Sequence, residues 1–245
     1  MSCFKKYDLN EFQNYIEKVK LLRKINKIQL HHTYSPSYNE FSGNNHIALQ
    51  EGMRNCHIKN NGWSDIAQHF TIFPDGIIVA GRSLEMIPAG IKGANTGAIT
   101  IECIGNFDIG EDSMDKKQKE AIVGVLKALI KKFSIEPKEG IIYHAWWTSG
   151  GKNLGDYIKG QSCKSCPGTN FFGGNTKKAF EENLLPLICE GANPLKSVDE
   201  INDIVWDLIN AGIVTDGKLW LSKCKEDKNI YHLCRKMANY LRGTL

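Results

Sequence analysis

The chain has 245 residues, 42% of them hydrophobic and 24% charged, which is enough for one sizeable domain with or without a small second one. Its net charge of +4 suits an anionic surface. With no run of Lys or Arg, that charge is too weak to argue for nucleic acid. No stretch approaches the ~18 apolar residues of a membrane span, and the Met1–Lys6 start leads into polar sequence, so a cytoplasmic protein without membrane insertion is expected.

In chain order, Phe12, Tyr15, Ile16, Val19 and Leu22 recur at helical spacing and predict a helix over 8–22. Ile28 to His31 alternates like a strand, and a helix follows over 45–59. Phe70–Phe73 and Ile77–Ala80 flank Pro74-Asp75-Gly76, a hairpin whose Asp-Gly supplies the positive φ of the turn. Ala98 to Ile104 is nearly continuous in β-formers and reads as a central strand. A helix over 116–133, a strand over 141–144 and a helix over 176–188 complete an α/β domain, a mixed sheet flanked by helices.

Composition shifts at Glu190 to Pro194, which divides the chain into domains 1–190 and 191–245. The second part opens on a capping box, Ser197 to Glu200, and continues as helix to Ala211. Gly212 is the left-handed stop, followed by a short segment holding Trp220 and a helix over 229–241. Trp206, Trp220 and Tyr231 are expected in the core of this small helical unit.

Eight cysteines, at 3, 56, 103, 163, 166, 189, 224 and 234, are scattered through a chain too large to need staples, and reduced thiols are expected. A catalytic metal needs three protein ligands and one open position, and ligands suit strand ends. His31 and His144 each end a short apolar strand, and Cys166 opens a Pro-Gly turn. Taken alone, either histidine also reads as hydrogen-bonded scaffolding. Cys163-x-x-Cys166 also reads as a redox pair or as half of a four-thiolate zinc site. The residues by themselves leave these readings open.

Several pieces then follow one another in a familiar order: His31-His32-Thr33; Gly62-Trp63-Ser64-Asp65-Ile66-Ala67-Gln68-His69-Phe70; Asp75-Gly76; Gly81-Arg82; Thr100 to Phe107; His144; and Cys166-Pro167-Gly168. Over roughly residues 25–188 the chain resembles the zinc-dependent N-acetylmuramoyl-L-alanine amidases, a family that includes peptidoglycan recognition proteins and many phage endolysins. The resemblance implies peptidoglycan as the partner and a zinc ion held by His31, His144 and Cys166. His31 is preferred to His32 because the family's ligand is the first residue of its H-x-T-like turn. Members with a Gly-Tyr-His-Phe signature use its tyrosine, where this chain has Gln68, a residue that carries no proton. Glu102 falls where another branch carries a catalytic glutamate, and Lys164 matches a lysine placed near the oxyanion. Without the resemblance, Glu102 reads as an ion pair on an edge strand and Lys164 as a solvent-exposed side chain.

The connection from His144 to Cys166 is longer than is usual in the family and contains Trp146 and Trp147. These two, with Gln68, are candidate substrate contacts; the alternative for the tryptophans is that they anchor the loop to the core. By analogy with endolysins, the enzyme is expected to reach the cell wall through a holin. By its position in the chain the C-terminal unit is expected to target the wall, the alternatives being dimerisation or stabilisation of the catalytic domain. The runner-up reading is a recognition protein that binds peptidoglycan without cleaving it.

Overall fold

The computed structural model describes residues 4–189, 198–241 and 243. The chain divides into two compact units, residues 1–191 and 192–245. The first holds the strands β1 (Lys6–Tyr7), β2 (Lys27–His32), β3 (Phe70–Ile72), β4 (Ile78–Ala80), β5 (Ala98–Cys103) and β6 (Ile141–Tyr143). Its main helices are α1 (Leu9–Lys18), α2 (His46–Lys59) and α3 (Lys116–Phe133), with a single turn α4 (Pro137–Gly140) before β6.

The sheet runs β1-β4-β3-β5-β2-β6. β3, β5, β2 and β6 are mutually parallel, while β4 and β1 are antiparallel to their neighbours, so the expected mixed sheet is observed. β2 and β5 lie in the middle and carry the aliphatic runs: Ile28, Leu30, Ile99 and Ile101 are fully buried. Strand alternation divides the β4 side chains between two faces. Ile78 joins the main core with Phe12, Ile72 and Val125; Val79 joins a smaller cluster with Met53 of α2, Ile66, Phe73 and Ile104. At the β3–β4 turn Gly76 takes φ +87°, the positive value read from Asp75-Gly76.

α1 starts on a reciprocal capping box. The Glu11 amide donates to the Asp8 carboxylate (2.8 Å), and the Asp8 amide donates to the Glu11 carboxylate (3.0 Å). Phe12 and Ile16, one turn apart, enter the core. The helix stops four residues before the predicted end because Val19 turns extended and its amide closes on the Ile16 carbonyl; Leu22, the last residue of the apolar pattern, is 99% exposed. β1 was not predicted, since two residues are too few to show alternation.

The predicted helix over 176–188 is a run of three pieces: α5 (Lys177–Ala179), a π-helical turn Phe180–Leu184, and α6 (Leu185–Ile188). Pro186 lacks an amide donor, and the π turn next to it absorbs the break in the ladder.

The second unit consists of α7 (Val198–Asn210), α8 (Gly217–Glu226) and α9 (Lys228–Leu241) around Ile204, Val205, Leu208, Tyr231 and Cys234. The segment around Trp220 is a ten-residue helix capped by Asp216. Gly212 is left-handed, with φ +71°. Tyr231 is in the core and Trp220 packs against it, but Trp206 is 63% exposed, against expectation. It falls on the outward side of α7, beside the buried Val205 and two residues before the buried Leu208. The proposed linker and the Ser197 cap lie outside the described residues. No helix among the described residues is long and apolar enough to cross a membrane.

His69, buried beside β5, gives the fold a pH dependence. Its Nδ1 accepts from the Thr100 amide (3.0 Å), while Nε2 faces the Met86 carbonyl (3.0 Å) and Arg23 (3.2 Å). Burial pushes its pKa down to about 4; the Met86 carbonyl pulls it up, and Arg23 and Arg82 push it further down. An unfolded histidine protonates near 6.5, so the folded state binds fewer protons below that value. The stabilisation is complete above pH ~6.5 and is lost as pH falls through about 4, at roughly 1.4 kcal/mol per unit in that window. His69→Asn keeps an acceptor for the Thr100 amide but cannot titrate. Urea unfolding at pH 7.5 and 5.0 is expected to show a pH effect smaller by about 2 kcal/mol in this variant; equal pH effects in the two proteins contradict the assignment.

Candidate metal centre

Parallel pairing brings the site residues to one edge. β2 lies between β5 and β6, so all three strands end on the same side, where sites in open α/β sheets form. His31 stands near the end of β2, opposite Glu102 of β5 in the register. His144 follows directly on β6. Cys166 comes from the long loop after β6 and is tied back beside His144, because the Ala145 amide donates to the Cys166 carbonyl (2.7 Å).

The rings of His31 and His144 sit edge to face with centroids 5.1 Å apart, and the Cys166 Sγ lies 3.4 Å from the His31 Nδ1. Candidate ligand atoms of the three residues all fall within 4.8 Å of one another. Tetrahedral bonds of ~2.0–2.3 Å place neighbouring ligand atoms roughly 3.3–3.7 Å apart, so small side-chain adjustments close the set on one ion. The chemistry fits as well: two imidazoles and a thiol form a nitrogen–sulfur donor set, and the buried His31 Nε2 has no hydrogen-bond partner. His32 lines the same cavity but is not one of the three; its Nδ1 accepts from the Phe107 amide (3.1 Å).

The electrostatics follow from burial. Desolvation, then His144 and Lys164, push His31 well below the usual histidine value; burial and Lys164 push His144 down to about 4. Both rings are therefore neutral, with lone pairs available at physiological pH. Burial drives the Cys166 thiol well up, with Glu102 adding to the effect. Glu102 is half-buried, with an Oε2 that is withdrawn from solvent and has no partner; desolvation raises its pKa to about 8, and Lys164 pulls it back.

The three ligand candidates, Glu102 and Lys164 line one cavity of about 780 Å3. Gln68 also lines it. Its Nε2 donates to the Thr71 hydroxyl (2.9 Å), and its Oε1 is buried without a partner. The far wall is the face of α2 carrying Met53, Cys56 and His57, continued by Trp63, whose ring packs on His57 with centroids 5.0 Å apart. Sequence reasoning missed this wall, although its i, i+3, i+4 spacing is visible.

Trp146 takes the second of the two places expected for it, as a core anchor of the loop, and does not line the cavity. It is 3% exposed, stacks on Tyr143 and donates from its indole nitrogen to the Asn175 carbonyl (2.7 Å). Trp147 is half-buried against the same core and absent from the cavity lining, so it too anchors the loop. Arg82 is a structural clamp whose guanidinium donates to the carbonyls of Ile66, Ile87 and Asp65. Glu102 sits on a central strand, not an edge. Cys163 is exposed, and Cys56, Cys103, Cys163, Cys166, Cys224 and Cys234 are in no disulfide.

Fold and site together define an α/β protein with a His-His-Cys group that could hold a metal ion at the carboxyl ends of parallel strands. Residues 21–169 match the Amidase_2 family, N-acetylmuramoyl-L-alanine amidase, and the chain belongs to it. Among curated relatives, the endolysin of Enterobacteria phage K11 is 32% identical over 89 residues, covering 35% of this chain and 57% of that protein. The N-acetylmuramoyl-L-alanine amidase of Homo sapiens is 28% identical over 80 residues, 33% of this chain and 14% of that one. The chain thus spans little more than half the length of the phage relative, and far less of the human one. Two solved structures share the fold: bumblebee PGRP-SA (TM-score 0.50, 23% identity, 66% of this chain and 83% of that one) and Drosophila PGRP-SA (TM-score 0.50, 20% identity, 67% and 82%).

Purified protein is expected to carry about one divalent metal ion per chain by elemental analysis. Cys166→Ala and His144→Ala lose it, whereas Cys163→Ala retains it. Retention of the ion by Cys166→Ala, or its loss from Cys163→Ala, contradicts the ligand set.

Proposed function

We propose that this chain is a zinc-dependent N-acetylmuramoyl-L-alanine amidase of the phage or prophage endolysin type. It hydrolyses the amide between the lactyl group of muramic acid and L-alanine in bacterial peptidoglycan. The observation that carries the reading is the gathering of His31, His144 and Cys166 within 4.8 Å in a cavity that also holds the half-buried carboxyl of Glu102 and the ammonium of Lys164.

Zinc in such a set supplies Lewis acidity, making water nucleophilic near neutral pH and polarising a carbonyl oxygen. His31, His144 and Cys166 would hold it at the inner end of a cavity that opens to solvent past Tyr34, Trp63 and Lys164. Glu102 is the proton carrier: it takes a proton from the attacking water and delivers it to the leaving nitrogen as the carbon–nitrogen bond breaks. The products are a lactyl carboxylate and a peptide with a free L-alanine amine. A carboxyl raised by burial to about 8 retains a proton well, and the cationic Lys164 pulls it toward the ionised form needed to accept one. The Lys164 side chain, exposed at the cavity, stabilises charge developing on the carbonyl oxygen.

Gln68 favours a second reading, binding without cleavage, since a carboxamide in this cavity carries no proton. Glu102 supplies the missing proton carrier and keeps hydrolysis the better account. The helical unit is proposed to bind the wall, with Trp206 and the 75%-exposed Tyr240 as its aromatic contacts. Storage in the cytoplasm and release through a holin complete this proposal.

Mass spectrometry of digested cell walls is expected to show stem peptides with free L-alanine amines beside intact glycan, and chelation abolishes their release until zinc is restored. Glu102→Gln lowers the rate by ~10²–10⁴ while its zinc content stays unchanged. Undiminished cleavage by Glu102→Gln removes its role, and wall binding with no freed peptides supports the second reading. In sedimentation with walls, the full chain is expected to outbind a chain ending at Cys189; equal binding removes the targeting role of the helical unit.

A further inference from the structure

The candidate thiol ligand sits on a loop, and loops do not hold a metal ligand in place unless something anchors them. The anchor is visible on both sides of Cys166-Pro167-Gly168. The Asp108 Oδ2 accepts from the Ser165 hydroxyl (2.9 Å), one residue before the thiol. Its Oδ1 accepts from the Thr169 amide (2.9 Å) and hydroxyl (3.1 Å), three residues after it. The Thr169 hydroxyl oxygen in turn accepts from the Ile109 amide (2.9 Å), and the Phe107 carbonyl accepts from the Asn170 amide (2.8 Å). The two segments are pressed together. Gly168 has φ +120°, and a Cβ there would lie 2.4 Å from the Phe107 carbonyl oxygen.

We infer that Asp108 is a positioning residue for the metal centre: its carboxylate clamps the Ser165–Thr169 segment so that the Cys166 sulfur is held toward His31 and His144. The inference rests on the reading of Cys166 as a metal ligand. Burial pushes the Asp108 pKa up, but the bonds from Thr169 and Ser165 outweigh it and hold the carboxyl below the usual carboxylate value. Asp108 is therefore ionised at neutral pH, and its bonds to the loop are charge-assisted, stronger than those between neutral groups. The Cys166 carbonyl is taken by the Ala145 amide on the other side. The ligand is thus fixed from two directions before any ion arrives, and less ordering remains to be done at binding. Supporting contacts of this kind typically carry ~10–100-fold in metal affinity.

The test uses the full chain with zinc as the probe. Zinc release to a competing chelator is timed for the parent, Asp108→Ala, Asp108→Asn and Ser165→Ala, alongside thermal melting. In metal-free protein, alkylation of Cys166 is followed by peptide mass spectrometry, with the exposed Cys163 as internal reference. Asp108→Ala is expected to release zinc ~10–100-fold faster and to alkylate faster at Cys166 but not at Cys163. Asp108→Asn, which keeps an acceptor but no charge, is expected to fall between it and the parent. If Asp108→Ala does not fold, Ser165→Ala carries the test, with release several-fold faster than the parent. Variants that fold, hold zinc as long as the parent and leave Cys166 equally protected overturn the clamp while leaving the metal site standing. A parent chain that takes up no zinc overturns the metal reading and the clamp together.

Discussion

The parallel pairing of β2 with β5 on one side and β6 on the other is the constraint on which the rest of the site depends. It is what lets residues from distant parts of the chain share one edge. His31 stands next to last in one strand, Glu102 lies opposite it on the next, and His144 follows the third. The pairing is secured by aliphatic residues, Ile28, Leu30, Ile99, Ile101 and Ile141, which are withdrawn completely from water. A slip of one residue in β2 would turn His31 to the other face of the sheet. Hydrophobic burial thus sets the register, and the register sets the geometry of the candidate ligands.

The same burial fixes the chemistry of the cavity. Two imidazoles are held neutral, a thiol is kept protonated, and a carboxyl is raised into the neutral range, all chiefly by desolvation. Such a pocket is costly when its polar atoms are left unpaired, and the His31 Nε2 and Glu102 Oε2 are both buried without partners. Unsatisfied buried atoms clustered around one cavity mark a place built to receive something polar. By contrast, the buried polar groups Arg82 and Trp146 have carbonyl partners and serve the fold.

Much of the sheet was legible in the sequence because its strands are rich in β-branched residues and its hairpin turns on Asp75-Gly76. β1 was not, because its two residues acquire meaning only from their pairing with β4. The end of α1 was overrun because Val19 and Leu22 continue a helical pattern that the backbone abandons. Trp206 is exposed where core was expected, while Trp146 is core, one of the two places left open for it. Composition does not say which side of a loop or helix faces a neighbour. That His31, His144 and Cys166 come together was legible only through family resemblance, since they are far apart in sequence and no spacing rule links them. The α2 wall of the cavity and the Asp108 clamp depend on tertiary contacts that no local pattern carries.

X-ray absorption at the zinc edge of the loaded protein is the most direct measurement of the central claim. The account predicts a four-coordinate ion with two nitrogen scatterers at ~2.0–2.1 Å, one sulfur at ~2.3 Å and one further light atom. A shell with two or more sulfurs, or one made of oxygen alone, would contradict it.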